Sequence, residues 1–471
     1  MKNQRESNQI TSYYDFLDSI IRLPIDSSEI NHNIKYLSIL DHEYAHFFQH
    51  YYTNVGISQL AVIRIMNILI DDLLFLYKPN ISIPLINWVP STRLFRENDS
   101  VVIYHDRILK LRKQLDSAYV SQQQINIQKE RLTSINIQEL VKGKGITIDL
   151  KTRNLQFWDQ PIFTIDISAI CESMAFAIEQ LSRAVRLSGV SPNQKAGVEG
   201  QHRIEENLIH SLNDVLVDPT IINYTFPILM LLQSGYQYSE SVQLIVLAGY
   251  LALMSQISVP SLPELGVNQD VKLGSVASRN FVNILLNICN DELLPIINKF
   301  GSNDRVRFIT YADAILEYVQ LPSLEDAFDG LKNLTSPDFI GHNNMSKLEN
   351  DWFKETMANV YSYNDFLSKC NTPDGINSIM TISRYFADPS IGPMVICKDG
   401  YVHSGEHDPM KRNKTDTYHF GLNIRRYIAF DGLSQNYGYS VSKEEGKKIE
   451  KSTKNFLNTS FGIDQINEES I

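Results

Sequence analysis

One short stretch near the N-terminus constrains this chain more than any other: His42-Glu43-Tyr44-Ala45-His46, a His-Glu-x-x-His pattern. In a helix, residues four apart lie on one face about 6 Å apart along the axis, so both imidazoles can reach one metal ion. Glu43 is rotated by about 100° from His42, which directs its carboxylate toward a water beside the metal. The pattern therefore predicts a metal site with two ligands that needs a third.

The residues around this pattern favour a helix. Apolar and aromatic residues recur at spacings of three and four: Ile34, Leu37, Leu40, Tyr44, Phe47, Phe48 and Tyr51. Asn31 or Asn33 can cap the start, and the run 53–56 (Thr-Asn-Val-Gly) predicts the end. The alternative is an amphipathic helix whose two histidines are partly buried, bind no metal and leave Glu43 facing solvent.

Composition excludes some function classes. The 471 residues carry a formal net charge of -11 and no basic tract, which argues against binding of nucleic acid. The four cysteines (Cys171, Cys289, Cys370 and Cys397) are too few and too scattered for a disulfide scaffold, which favours a reducing compartment. The polar first residues lack an apolar secretory region, and we therefore expect a cytoplasmic protein.

The most apolar run, 242–257, is about sixteen residues long, whereas a membrane span needs about twenty. It contains Gln243 and Gln256 and follows Glu240. We therefore expect a buried core helix and no membrane partner.

The fold class that these patterns predict is mainly α, with a smaller β component (α+β). We expect helices over 13–23, 33–54, 57–77, 104–140, 166–186, 201–216, 242–257, 276–300, 304–320 and 345–368. Residues 80–104 are predicted to be loop with brief extended pieces. A β-hairpin is expected at 145–150 and 154–158, and its edge strand could take up an extended peptide.

The second half is expected to mix helices with short strands. The segment 370–439 is predicted to combine turns with strands, and the polar tail after residue 442 is predicted to fray. The Pro-rich run 258–266 is the preferred domain boundary. It separates a domain at 1–257, with a polar insertion over 80–165, from a C-terminal helical and mixed α/β domain at 267–471 of unknown role.

A third metal ligand is suggested by Glu172, in the helical run 166–186. Its neighbours three and four residues on are Ala175 and Phe176, so it has no cationic partner on its own helix. Burial of an uncompensated carboxylate costs several kcal/mol, which a divalent metal would offset. The alternative is an ion pair between Glu172 and an arginine elsewhere in the fold.

Three other glutamates are reserve ligands: Glu179, Glu205 and Glu206. Glu179 has Arg183 four residues on, and we expect this pair to be an ordinary ion pair at the surface.

At these residues the sequence resembles the gluzincin branch of the HExxH metallopeptidases, or zincins. In that branch two histidines come from one helix and a glutamate from a later helix, often in a Glu-x-x-Ala setting. This chain offers His42-Glu43-x-x-His46 and Glu172-Ser-Met-Ala175. The resemblance covers residues 31–188, and the subfamily stays undetermined because no Asn precedes Glu172 and no Asp follows Ala175.

The resemblance implies a zincin-like helical core that binds one Zn2+ through His42, His46 and Glu172. It also implies that Glu43 acts as general base on a water at the metal. We therefore expect a zinc-dependent hydrolase, an intracellular metallopeptidase whose substrate is a peptide or protein, with a possible regulatory partner protein. A catalytically silent zincin scaffold with an interaction or regulatory role is the alternative, and a metal-free helical protein with a coincidental pattern is a third.

Further candidates surround the predicted site. His50 lies about 12 Å along the helix from His42, too far to share its ion, and we expect it outside the ligand set or facing solvent. A donor that stabilises the oxyanion could come from any of Tyr52, His202, His210 and Tyr224, among which the sequence does not choose. A second, structural zinc could be bound by Cys370, Cys397, His403 and His407, although no close Cys-x-x-Cys pair is present.

Overall fold

A computed structural model describes most of the first 255 residues and parts of the remainder. The described ranges are 13–15, 20–30, 33–51, 53–118, 123–126, 162–189, 198–215, 222–234, 236–255, 275–289, 308–327, 394–398, 400–402, 425–431, 443–463 and 465–468.

Helices make up most of the described structure, as the sequence predicted. The α-helices are α1 (Ser27–Ile30), α2 (Ile34–Tyr51), α3 (Asn54–Leu76), α4 (Leu85–Trp88), α5 (Arg93–Glu97), α6 (Asp99–Ala118), α7 (Ile167–Leu187), α8 (Val198–Val215), α9 (Ile222–Gln233), α10 (Tyr238–Met254), α11 (Ser275–Cys289), α12 (Phe308–Tyr318) and α13 (Lys443–Phe461). The strands are β1 (Tyr13–Asp15), β2 (Ile20–Arg22), β3 (Asn80–Ile83), β4 (Gln123–Asn126), β5 (Ile162–Ile165), β6 (Met394–Cys397), β7 (Gly400–Val402) and β8 (Gln465–Glu468). A π-helical turn spans Tyr427–Asp431.

The predicted helix around the His-Glu-x-x-His pattern is confirmed as α2. Its start is stabilised by Asn33, whose side chain accepts a hydrogen bond from the Lys35 amide at 3.0 Å. α3 begins three residues after α2 ends, and Thr53 joins the two helices. The Thr53 hydroxyl accepts from the Gly56 amide at 3.1 Å and donates to the Gln49 carbonyl at 2.5 Å.

Gly56 lets these two helices approach each other closely. A Cβ at this position would overlap the backbone carbonyls of His50 and Gln49. The absence of a side chain is therefore required for the tight connection between α2 and α3.

Helix α7 lies at the centre of the fold and packs against α2, α8, α9, α10 and α11. Asp166 caps its N-terminus by accepting a hydrogen bond from the Ala169 amide at 2.7 Å. On one face, Met174 lies against Gly249 of α10, where a Cβ would overlap the Met174 thioether. The face toward α2 carries the predicted third ligand.

Strands far apart in the sequence pair with one another. The largest sheet has the order β1-β2-β6-β7, in which β2 pairs parallel to β6 with Ile21 opposite Val395, and the other two pairings are antiparallel. β3 pairs parallel to β8, and β4 pairs antiparallel to β5. Two of these sheets therefore join the first hundred residues to the last eighty.

The predicted domain division is not decided by these contacts. The boundary at 258–266 lies outside the described residues. The main hydrophobic core contains Leu73 and Leu247 from the first predicted domain together with Phe281 and Leu457 from the second. The described parts of both predicted domains therefore share one core.

Three predictions of local structure are wrong. The described residues of the helix predicted at 13–23 form β1 and β2, because Ile21 is buried and β2 pairs with β6, far along the chain. Residues 80–104 contain one predicted extended piece, β3, but α4, α5 and the start of α6 take the place of the predicted loop. The tail after residue 442 forms α13 and β8, because Leu457 and Phe461 are buried in the core.

Other predictions fall outside the described residues. These are the hairpin at 145–150 and 154–158, the helix at 345–368, and the part of the predicted insertion at 80–165 that lies between 127 and 161. The remaining predicted helices are present within the described ranges, and α6 covers the described part of the helix predicted at 104–140. No helix within the described ranges combines the length and the apolar character that crossing a membrane requires.

A buried ion pair connects α3 to a residue late in the chain. The Arg425 guanidinium donates to both Asp71 oxygens, from Nε at 2.8 Å and Nη2 at 2.9 Å, and it lies 4.9 Å from the Phe456 ring centroid. The two side chains are only 4% and 2% exposed. Neither charge is exposed to bulk water, so contacts within the fold, this ion pair among them, must stabilise both.

The substitution Arg425→Met should lower the free energy of unfolding by about 3 to 5 kcal/mol, because it leaves the Asp71 carboxylate buried without its cation. The double variant Asp71→Leu/Arg425→Met should recover most of this loss, since no uncompensated charge remains. Urea denaturation followed by circular dichroism measures both values. A smaller loss of unfolding free energy in Arg425→Met than in the double variant would contradict this account.

Candidate metal centre

Helix α2 places His42 and His46 on the same face, one turn apart. Their Nε2 atoms lie 3.2 Å from each other, and the ring centroids are 4.9 Å apart in an edge-to-face arrangement. Both imidazoles therefore direct the same nitrogen toward one point, as the spacing of four residues requires.

Helix α7 brings Glu172 to that point. Its Oε2 lies 3.3 Å from His42 Nε2, and its Oε1 lies 3.5 Å from His46 Nε2. One ligand atom from each of the three residues lies within 4.8 Å of the others. Zn–N and Zn–O bonds of 2.0 to 2.1 Å at tetrahedral angles place ligand atoms about 3.3 Å apart, so these residues fit a zinc ion.

The predicted ligands therefore come together, although they lie on helices separated by more than a hundred residues. Among the described residues, they form the one group of three or more His, Cys, Asp or Glu side chains close enough to hold a metal. The fourth tetrahedral position is left for a water molecule or substrate.

Two outer hydrogen bonds orient the imidazoles. His42 Nδ1 lies 3.1 Å from Glu179 Oε2, and His46 Nδ1 lies 3.0 Å from Gln49 Oε1. Gln49 in turn donates from Nε2 to the Cys171 carbonyl at 2.9 Å, which ties α2 to the turn of α7 that carries Glu172. Such contacts fix the ring orientation and raise the basicity of metal-binding histidines.

The prediction that Glu179 forms only a surface ion pair is therefore wrong. Glu179 lies seven residues after Glu172, which is two helical turns, so both carboxylates face α2. That spacing was the available signal for the role of Glu179. The contact between Gln49 and His46 was not predicted either. Its only indication in the sequence is that Gln49 follows His46 by three residues, about one helical turn.

The two carboxylates change the protonation of His42. Burial alone would lower the pKa of His42, but hydrogen bonds to Glu172 and Glu179 and the nearby Glu43 charge outweigh it and raise the pKa to about 10. Burial likewise opposes ionisation of Glu172, but its contacts with His42 and His46 hold the pKa of this carboxyl well below its usual range. In the metal-free protein, the positive charge of protonated His42 therefore offsets part of the negative charge of these carboxylates.

A second contact holds α2 and α7 together beside the site. The Asp41 carboxylate accepts from Arg186 Nη1 at 2.5 Å and from the Ser182 hydroxyl. Because Asp41 precedes His42 in the chain, this ion pair fixes the rotation of α2 at the residue next to a ligand. The site therefore rests on two helices linked at several points.

The three ligands line a cavity of about 280 Å3. Glu43 is buried and also lines the cavity, and its charge lies close enough to His42 to raise the pKa of that imidazole. His50 lines the cavity but is buried, not solvent-facing, and it lies outside the ligand cluster. Its Nδ1 is 3.2 Å from the Tyr14 hydroxyl, and burial lowers the pKa of His50 to about 3, so this imidazole is neutral at physiological pH.

The reserve glutamates Glu205 and Glu206 have other partners. Glu205 accepts from the amides of Tyr238 at 2.8 Å and Ser239 at 3.0 Å and so caps α10. Glu206 pairs with His202 at 3.2 Å in an exposed contact.

The other candidates stay undecided or lie away from the cavity. His202 and His210 are exposed and do not line the cavity. Tyr52 and the side chain of Tyr224 lie outside the described residues. The second zinc site stays a prediction: Cys397 is buried in β6, and its three proposed co-ligands, Cys370, His403 and His407, also lie outside the described ranges.

Replacing Glu179 by Leu should weaken zinc binding by about 10- to 100-fold, because His42 loses the acceptor that orients its ring. The control is Glu206→Gln, which alters an exposed carboxylate that contacts no ligand. Competition with a fluorescent chelator measures both affinities. Equal zinc affinity of the Glu179→Leu variant and the wild type would refute this role.

Zinc binding should release the proton that His42 carries in the metal-free protein. A pKa near 10 keeps His42 protonated at pH 7.5, whereas an ordinary pKa of 6.5 would leave only about 0.1 proton there. The apparent zinc affinity should therefore rise as the pH increases from about 6.5 toward 10. Calorimetry in buffers of different ionisation enthalpy counts the protons, and Glu179→Leu should release fewer of them.

A comparison with protein-family models found no family that matches this chain, and searches of curated proteins and of solved structures found no match either.

Proposed function

We propose that this chain is a zinc-dependent hydrolase that cleaves peptide bonds, with Glu43 as general base. The observation that supports it most is the tetrahedral spacing of His42, His46 and Glu172 within a cavity that also contains Glu43. The choice of a peptide bond as the bond cleaved rests on the resemblance to the gluzincins.

In the proposed function, His42, His46 and Glu172 bind the zinc ion. Two imidazoles and one carboxylate leave one coordination position open, which is typical of catalytic and not of structural zinc sites. When bound there, zinc would lower the pKa of a water to about 7 and polarise the carbonyl that is attacked. Glu179 and Gln49 hold the imidazoles in the required orientation.

Glu43 supplies the proton transfer. It directly follows His42, so the rigid α2 helix fixes its distance from the ligands, and only 4% of its surface is exposed. It would accept the proton of the attacking water and return it to the leaving amine.

The substitution Glu43→Gln should keep zinc at one ion per chain and lower turnover about 10²- to 10⁴-fold, because the amide cannot accept the proton. The substrate is a denatured-protein library digested with and without a chelator, with products identified by mass spectrometry. Glu206→Gln is the matched control, since it makes the same change at an exposed position away from the cavity.

The results of these experiments distinguish the hydrolase from the two alternative hypotheses. Full activity of the Glu43→Gln variant would refute the mechanism. Zinc binding without chelator-sensitive cleavage by the wild type would favour the catalytically silent scaffold. Absence of zinc binding would favour the metal-free helical protein.

A further inference from the structure

Gln59, on α3, lines the same cavity as the metal ligands. Its side chain is 95% buried, since only 5% of its surface is exposed, yet its Nε2 has no hydrogen-bond partner within the described ranges. A buried amide donor without an acceptor destabilises the folded chain, and such groups are rare in proteins. Its position on a cavity wall indicates that a ligand supplies the acceptor.

The connection between α2 and α3 fixes Gln59 relative to the metal site. Thr53 bonds to the Gln49 carbonyl and caps α3, and Gly56 lies one turn before Gln59 against the end of α2. The Gln49 side chain is the group that holds His46. A ligand group bonded to Gln59 would therefore have a fixed position relative to the zinc ligands.

The composition of the wall limits what that group can be. Val55, Ile167 and Leu253 give the cavity an apolar surface, and no lysine or arginine is among its described lining residues. The carboxylates of Glu43 and Glu172 would repel an acid. The fitting group is therefore neutral, small and able to accept a hydrogen bond from an amide nitrogen.

We propose that Gln59 is a specificity-determining residue that donates from Nε2 to the carboxamide oxygen of an asparagine or glutamine side chain in the substrate. This inference rests on the proposed function, because it takes the substrate to be a peptide whose attacked carbonyl lies at the metal. The apolar walls would contact the methylene groups of that side chain, and Gln59 would bind its polar end.

The test uses hydroxamates of N-acetylasparagine, N-acetylglutamine and N-acetylleucine with the zinc-loaded full-length protein. The hydroxamate group binds the metal, so the side chain is the only part that differs among the probes. The wild type should bind one of the carboxamide probes about tenfold or more tightly than the leucine probe. In Gln59→Leu this preference should vanish or reverse, because the apolar side chain cannot donate.

Asn67 provides a matched control on the same helix. It too is buried with an unpaired amide nitrogen, but it does not line the cavity. Asn67→Leu should therefore leave the order of the three probes unchanged. Gln59→Met is the second variant, to be used if Gln59→Leu does not fold.

A stability measurement separates a binding role from a structural one. Because Gln59 Nε2 makes no hydrogen bond within the described ranges, Gln59→Leu should keep or raise the melting temperature. Gln49→Leu, which breaks two hydrogen bonds, should lower it. Equal preference in the wild type and Gln59→Leu would overturn the proposal, as would failure of the zinc-loaded wild type to bind any probe. Because hydroxamate binding needs no turnover, a protein that lacks Glu43-dependent cleavage can still show the carboxamide preference.

Discussion

The packing of α2 against α7 is the contact on which the candidate site depends. It places the Glu172 carboxylate beside the imidazoles of His42 and His46. Two further contacts between the helices, one next to His42 and one next to Glu172, stabilise this packing. Asp41 and Arg186 pair next to His42, and Gln49 bonds to the Cys171 carbonyl next to Glu172. Because these contacts flank the ligands, a change in the rotation or translation of either helix would separate them. Preorganisation of this kind is what a metal site requires.

The electrostatics of the site are consistent with a place for a cation. Three carboxylates, Glu43, Glu172 and Glu179, surround His42, and together they outweigh the effect of burial on its pKa. A cluster of negative charge in a partly closed cavity stabilises positive charge, whether this is a proton or a divalent ion. A divalent ion at this position would be bound by both imidazoles and by the Glu172 carboxylate.

The remainder of the fold supports this helix pair. α10 lies against the opposite face of α7, with Gly249 over Met174, and α3 continues directly from the end of α2. The second half of the chain contributes to the same core through α11, α13 and β8, whereas Val395 and Cys397 of β6 pack in a second cluster with Tyr44 of α2. The cavity is consequently lined both by the candidate metal ligands and by residues of α3 and α10, such as Gln59 and Leu253.

The sequence alone determined the parts that depend on local periodicity. α2 and the shared face of His42 and His46 follow from the 3.6-residue repeat, since neighbours four apart must align on any helix. The choice of Glu172 followed from its own helix, where the absence of a nearby cation marked an unusual carboxylate. That inference needed no knowledge of how α7 packs.

Only the tertiary structure decided which side chains meet across elements. Glu179 was expected to form an ordinary surface ion pair, because its own helix offers Arg183; the packing of α2 gave it His42. Residues 13–23 have a helix-like pattern but form strands, since β2 gains its hydrogen bonds from a segment more than 370 residues later. Likewise, the polar composition of α13 hid the few apolar residues that the core takes up. Pairings between distant segments depend on the whole fold, and no local spacing records them.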